Sequence, residues 1–248
     1  MSTTKNTILI WAGALVIVAT WLFLVLTRPT DWESIGGSTE AIVTLVGYVG
    51  GAVLLIAGIL PRLTARELGL IPVALVINMI VGQIVGSTGL PLYLDSVGTM
   101  LVAALAGPAA GLATGALTSV VWGVFNPMAL PFAAGSGLTG LLAGLAIHKF
   151  KSFEHPWRII PAGAVMGIIV GMLSAPVAAF VYGGTAGVGT GAVVSAFRAM
   201  GNSLLESVTL QSMISDPLDK IVVLFVVWGI VKALPASIVK PARWIRSR

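Results

Sequence analysis

The sequence contains no cysteine and only two histidines, His148 and His155. Disulfides, thiolate nucleophiles and Cys-ligated metals are thereby excluded, and two imidazoles cannot build a multi-histidine site within one chain. Charge is equally scarce: Asp, Glu, Lys and Arg make up 9% of the 248 residues, against roughly a quarter in a soluble domain. Aromatic residues are few, at 7%. The 57% hydrophobic content comes mainly from Ala, Val, Leu and Ile beside 30 Gly, the composition of closely packed transmembrane helices rather than of an alternating β-barrel. Also missing are a Gly-rich phosphate loop, a Ser/His/Asp set with a spare histidine, paired carboxylates on adjacent helices, a voltage-sensor ladder and a carboxylate relay. The expectation is a protein that is not an enzyme, carries no cofactor or metal, and holds a ligand in the membrane.

A hydrocarbon core about 30 Å thick needs about 20 apolar residues in a helix. Ile8–Leu26, Ala41–Leu60, Leu68–Gly86 and Ile159–Val181 meet that length, and Ile221–Leu234 is a shorter final candidate. The first is too long for the apolar core of a signal peptide and no small-residue cleavage site follows it, so it reads as an anchored helix. Between Asp95 and His148 no residue is formally charged. That stretch is too long for one crossing and is expected to turn at Gly107-Pro108 and Asn126-Pro127, giving Leu94–Ala106, Ala109–Phe125 and Met128–Ile147. The first is short and would recruit Leu90–Tyr93, placing Asp95 near the outer boundary.

Segment Gly183–Ser215 carries Arg198, Asn202, Glu206 and Gln211. If it spans, the basic tail Lys240, Arg243, Arg246 and Arg248 faces away from Lys149, Lys151 and Arg158; if not, all share one side. The positive-inside rule selects the second option, with a Gly-rich outer loop leading into a surface helix. Inside positives are then Lys5, Arg62, Arg66, Lys149, Lys151, Arg158, Lys232 and the four of the tail, against Arg28, Arg198 and Lys220 outside. Eleven against three places both termini in the cytoplasm of a multi-pass cell-membrane protein with eight spans. The formal charge of +5 reports orientation, and nucleic acid need not be invoked.

Small residues recur every four positions at Gly107, Gly111 and Gly115, at Gly140 and Gly144, and at Gly163, Gly167 and Gly171. They allow close helix approach, either within the bundle or toward a partner's helices. Polar residues near the outer ends each cost energy in lipid unless they face a cavity or a partner. Asn78, Gln83, Tyr93, Asp95, Trp122, Asn126, Ser136, Tyr182, Arg198, Asn202, Glu206 and Gln211 form this set, and an outward pocket of aromatic and amide groups accounts for it. For Asn78 and Gln83 individually, an interhelical hydrogen bond competes with ligand contact. Arg198, Asn202 and Glu206 would share one helix face, either as a solvated surface or as a lid hinged by the preceding glycines. Ser215-Asp216-Pro217-Leu218-Asp219-Lys220 reads as a helix start, with Asp216 as N-cap, Pro217 at the first position and Asp219 in the first turn, Lys220 pairing with Asp216.

The run from Leu90-Pro-Leu-Tyr-Leu-Asp-Ser-Val-Gly-Thr to Gly107-Pro-Ala-Ala-Gly111, followed by Gly115-Ala-Leu-Thr-Ser, resembles the second and third helices of the substrate-binding S components of energy-coupling factor (ECF) transporters. Ser215-Asp-Pro-Leu-Asp-Lys with Ala233-Leu-Pro235 is similar to that family's last helix. The likeness covers about Leu68 to Pro235. It implies a six-helix core over residues 67–248, with a two-helix N-terminal membrane segment over 1–66, an outer lid at 183–215 and a cytoplasmic basic tail. It also implies a high-affinity subunit for a vitamin- or cofactor-like small molecule, working with a transmembrane T subunit and two ATPases. Ala74, Asn78, Gly107, Gly111 and Gly115 are the corresponding partner-docking candidates, although Asn78 stands where the family's Ala-x-x-x-Ala pattern expects a second alanine. Similar Asp-Ser-Val-Gly segments occur in membrane sensor domains, so a sensor is the alternative; a stand-alone secondary transporter lacks the expected inverted repeats and coupling carboxylates.

Overall fold

The computed structural model describes residues 3–28, 38–184 and 187–235. Asp31, Glu33, Lys240, Arg243, Arg246, Arg248 and both chain termini lie outside the described residues. Among the described residues the chain is built of helices without strands: α1 (Thr3–Thr27), α2 (Thr39–Ile59), α3 (Ala65–Ser87), α4 (Val97–Ala106), α5 (Pro108–Phe125), α6 (Ala133–His148), α7 (Pro156–Tyr182), α8 (Val188–Ala199) and α9 (Leu204–Ala233). Six of them, α1, α2, α3, α5, α6 with its preceding turn, and α7, are long and apolar enough to cross a membrane.

Local chemistry sets the helix ends. Ser38 caps α2 by accepting from Ala41 N at 3.2 Å. Thr64 and Glu67 form a reciprocal capping box at α3, the Glu67 carboxylate accepting from Thr64 N at 2.7 Å. At Gly107 the backbone turns through φ +93°, which favours glycine, and Pro108 opens α5. Asn126 Oδ1 accepts from Met128 N at 3.2 Å and starts the 3₁₀ segment Pro127–Phe132 ahead of α6. Both turns fall where Gly-Pro and Asn-Pro announced them.

The glycine stripes are used inside the molecule. A side chain at Gly111 or Gly115 would strike the α6 backbone at Gly140 and Ser136, and one at Gly167 would strike Pro217 of α9. Ala74 and Asn78 are buried, and Ala74 abuts Gly98 of α4. Four of the five residues offered as docking contacts therefore already have neighbours within this chain. The fifth, Gly107, is half-buried in the α4–α5 turn.

The N-terminal hairpin joins the same core. Tyr48 is fully buried and donates its hydroxyl to Pro131 O at 3.2 Å, and Trp21 Nε1 donates to Leu173 O at 3.0 Å. Leu24, Tyr48 and Leu55 share a hydrophobic cluster with Ala113, Ala116 and Val177.

Two expectations are corrected. Leu94–Ala106 is not a full crossing: α4 has 10 residues, about 15 Å at 1.5 Å per residue, and residues 88–96 are a non-helical segment whose latter part, Tyr93–Ser96, packs against the bundle. No helix starts at Asp216. α9 runs unbroken for 30 residues with Pro217 inside it, because a second capping box, Ser203 with Glu206, begins the helix 13 positions before Asp216. The helix is about 45 Å long, so Ile221–Leu234 is only its C-terminal part.

Candidate ligand-binding cavity

One end of the bundle holds a cavity of about 430 Å³, within the usual range for small-molecule sites of roughly 300–1,000 Å³. Its wall is drawn from the C-terminal ends of α3 and α5, the segment before α4, the 3₁₀ turn before α6, the start of α6, the C-terminal half of α7, the start of α8 and the middle of α9. Every lining residue lies at or after Gly82, so α1 and α2 contribute none.

The segment before α4 is held at depth by one carboxylate. Asp219 Oδ1 accepts from the backbone N–H groups of Tyr93 at 3.0 Å and Leu94 at 2.7 Å, while Oδ2 accepts from Lys220 Nζ at 2.6 Å. Asp219 is wholly buried and Lys220 is 4% exposed. Irregular backbone inside a membrane bundle survives only where its polar groups are satisfied internally or line a cavity. This arrangement achieves both, and it delivers Tyr93, Asp95 and Ser96 to the cavity wall.

The floor is set by Asn78. Fully buried, it donates through Nδ2 to Thr99 Oγ1 at 2.8 Å and Thr118 Oγ1 at 3.2 Å, and its Oδ1 accepts from Gly98 N at 2.7 Å. It ties α3, α4 and α5 together and so positions Thr99 and Thr118, which do line the cavity. Nearby, Ser119 Oγ donates to Ser136 Oγ at 2.8 Å between α5 and α6. Gly82 lets Trp122 and Asp95 approach α3: a methyl group there would lie 2.7 Å from the Trp122 ring and 2.8 Å from Asp95 Cβ.

Of the residues singled out in the sequence, Gln83, Tyr93, Asp95, Trp122, Asn126, Ser136 and Gln211 line this cavity. Asn78 does not; it is an interhelical clamp. Tyr182 does not either, but its hydroxyl donates to Met128 O at 2.9 Å and its ring stacks on Phe132 at 5.6 Å, bracing two residues that do. Arg198, Asn202 and Glu206 are a correction. The helix that was to align them is broken at Met200–Ser203, where Gly201 takes φ +95°. Arg198 Nη1 donates to Asn202 O at 3.2 Å, Asn202 Nδ2 donates to Phe197 O at 3.0 Å, and Glu206 belongs to the α9 capping box. These three hold a turn. The part of Gly183–Ser215 that reaches the cavity is instead Gly187, Val188, Gln211 and Ser212.

Asp216 and Lys220 line the cavity as well, although their sequence context reads as helix capping. The upstream Ser203-x-x-Glu206 capping box is the signal that frees them from that role. Nine Ser and Thr side chains complete the wall; their spacing carries no signal, because a hydroxyl in a membrane helix is satisfied by its own backbone one turn back, as Thr139 is by Gly135 O.

The cavity end and the opposite end differ in charge. Among the described residues Lys5, Arg62, Arg66, Lys149, Lys151, Arg158 and Lys232 lie at the far end, whereas only Arg28 and Arg198 sit at the cavity end and Lys220 within its wall. Fold and site define a class: a membrane-helical protein with a small-molecule-sized cavity near the end of its bundle that carries less positive charge. No protein-family model, curated protein or solved structure matches the chain.

Proposed function

We propose that the chain is the substrate-binding subunit of an energy-coupled uptake system of the ECF type, which captures a vitamin- or cofactor-like small molecule from outside and passes it inward with a T subunit and two ATPases. The observation that carries this reading is the cavity itself. It combines apolar surface with a set of hydroxyl, amide and carboxylate groups, and its described lining residues come from all seven helices α3–α9 and the segments between them, the part of the chain whose motifs resemble the S components. Basic residues concentrate at the other end, the cytoplasmic end by the positive-inside rule, so the cavity faces outward. In this reading the segment before α4 and the Gly187–Val188 approach to α8 close over the ligand, and α1–α2 brace the bundle from the α5–α7 side.

The test is to purify the tagged full-length chain under gentle detergent from cells grown in rich medium and to identify what co-elutes. The expected result is a small molecule released on denaturation, together with a second membrane protein and nucleotide-binding subunits. Concentrative uptake by vesicles holding this protein alone, driven by a proton or sodium gradient, would replace the proposal with a secondary transporter.

A further inference from the structure

The cavity wall carries more acid than base. Asp219 is committed on both oxygens, to the Tyr93 and Leu94 backbone and to Lys220. Among the described residues Lys220 is the one cationic side chain on the wall, and its ammonium lies within electrostatic range of Asp95 and Asp216 as well as Asp219. With Asp219 and Lys220 cancelling, Asp95 and Asp216 remain as two carboxylates without a cation of their own. Asp216 is only 6% exposed. Ser212 hydrogen-bonds its carboxylate but carries no charge; a buried carboxylate without a counter-charge is costly, and a ligand carrying positive charge offsets that cost.

A second feature points into the same space. Ser96 Oγ and Gln211 Nε2 are buried polar atoms with no hydrogen-bond partner; the residues are 5% and 3% exposed, and both line the cavity. Unpaired buried donors of this kind are rare in folded proteins unless something else satisfies them. The Trp122 and Tyr93 rings on the wall offer π faces of the sort that attract cations. Among the described residues no group of three His, Cys, Asp or Glu side chains could hold a metal ion, and the wall is made of rings and hydroxyls, so the charge that fits is carried on an organic molecule.

We propose that the ligand is a small organic cation, a protonated amine or a positively charged heteroaromatic ring, held by the carboxylates of Asp95 and Asp216, hydrogen-bonded by Ser96 and Gln211 and flanked by Trp122. This rests on the binding-subunit reading and names its substrate class.

The experiment uses the full chain in detergent and ultrafiltered yeast extract separated by ion exchange at neutral pH into cationic, neutral and anionic fractions. Each fraction is tested for raising the melting temperature. The expected result is stabilisation by the cationic fraction alone. In Asp95→Asn and Asp216→Asn the amount of that fraction needed for half of the shift should rise about ten- to a hundredfold, as loss of one charged hydrogen bond implies. Unliganded melting temperatures show whether each variant folds. If Asp216→Asn does not, Asp95→Asn and the charge-keeping Asp216→Glu carry the test, and the latter should retain the shift. Stabilisation by the neutral or anionic fraction, or undiminished response of the folded Asn variants, overturns the charge assignment and leaves the binding-subunit reading standing. No stabilisation by any fraction overturns both.

Discussion

Asp219 links the cavity to the stability of the fold. Its carboxylate satisfies two backbone N–H groups of an irregular segment and neutralises a buried lysine, so removing it orphans three groups at once. Breaking a buried pair by deleting one partner costs about 3–5 kcal/mol, and Asp219→Ala should lower the melting temperature accordingly. Asp219→Ala combined with Lys220→Met should recover part of that loss, since the uncompensated ammonium is gone while the two N–H groups remain unpaired. A double variant no more stable than the single one would show that Lys220 is compensated elsewhere. A milder effect is expected at Glu206, whose carboxylate is held below its ordinary range by hydrogen bonds from Ser203. A lowered folded-state pKa gives stabilisation that is present above the unfolded value, roughly 4.3, and is lost as pH falls through the lower folded value. Glu206→Ala should therefore melt below wild type at neutral pH, with the gap closing in acid; a gap that stays constant with pH would assign the effect to something other than the carboxylate. At this level the sequence was informative about residue type and poor at assigning roles. Tyr93, Asp95 and Trp122 stand out because polar and aromatic groups near helix ends need a reason. Asp216 and Lys220 did not, because one Asp-Pro-x-Asp string serves equally as a helix start and as the interior of a longer helix.

The helices pack through glycine, and the positions where this matters are separable from those where it does not. At Gly140 an added side chain meets the Gly111 backbone, which cannot move without shifting α5. At Gly50 in α2 it meets nothing within 4 Å. Gly140→Val should then destabilise the protein, by roughly the 1–3 kcal/mol typical of overpacking or more. Gly50→Ala should be neutral or raise stability by up to about 0.5–1 kcal/mol through reduced backbone freedom. Paired thermal melts decide this, and equal effects at both sites would contradict the packing described. The lengths of α1, α2, α3, α5 and α7 were legible because an uninterrupted apolar run of membrane-crossing length has few alternatives. α4 and α9 were not. The 88–96 segment enters the bundle only because Asp219, about 125 residues later, supplies its hydrogen bonds, and no local pattern encodes a long-range partner of that kind. In α9 Asp216 and Lys220 line the cavity and Asp219 pairs with Lys220, while Glu206 serves the capping box at the helix start.

The molecule as a whole is polar in two senses, with a cavity at one end and a basic, aromatic-flanked rim at the other. At that rim Arg158 lies over the Trp157 ring at 5.4 Å, Lys232 over Trp228 at 4.8 Å and Lys149 over Phe150 at 5.7 Å. Trp side chains beside basic residues are common at a membrane–water boundary, and under the positive-inside rule an excess of Lys and Arg is expected on the cytoplasmic side. The orientation matters to function, since a binding subunit for uptake must open its cavity outward. It can be tested cleanly because the chain has no cysteine of its own. Met200, in the α8–α9 turn at the cavity end, and Phe150, in the α6–α7 turn at the basic end, are 76% and 67% exposed, so a cysteine at either position leaves the buried core intact. In intact cells a membrane-impermeant maleimide should label Met200→Cys at once, and should label Phe150→Cys only after permeabilisation. The reverse pattern would turn the cavity toward the cytoplasm. A capture subunit for uptake would then be untenable whatever the cavity binds, and an export or cytoplasmic sensing role would have to account for the same buried carboxylates.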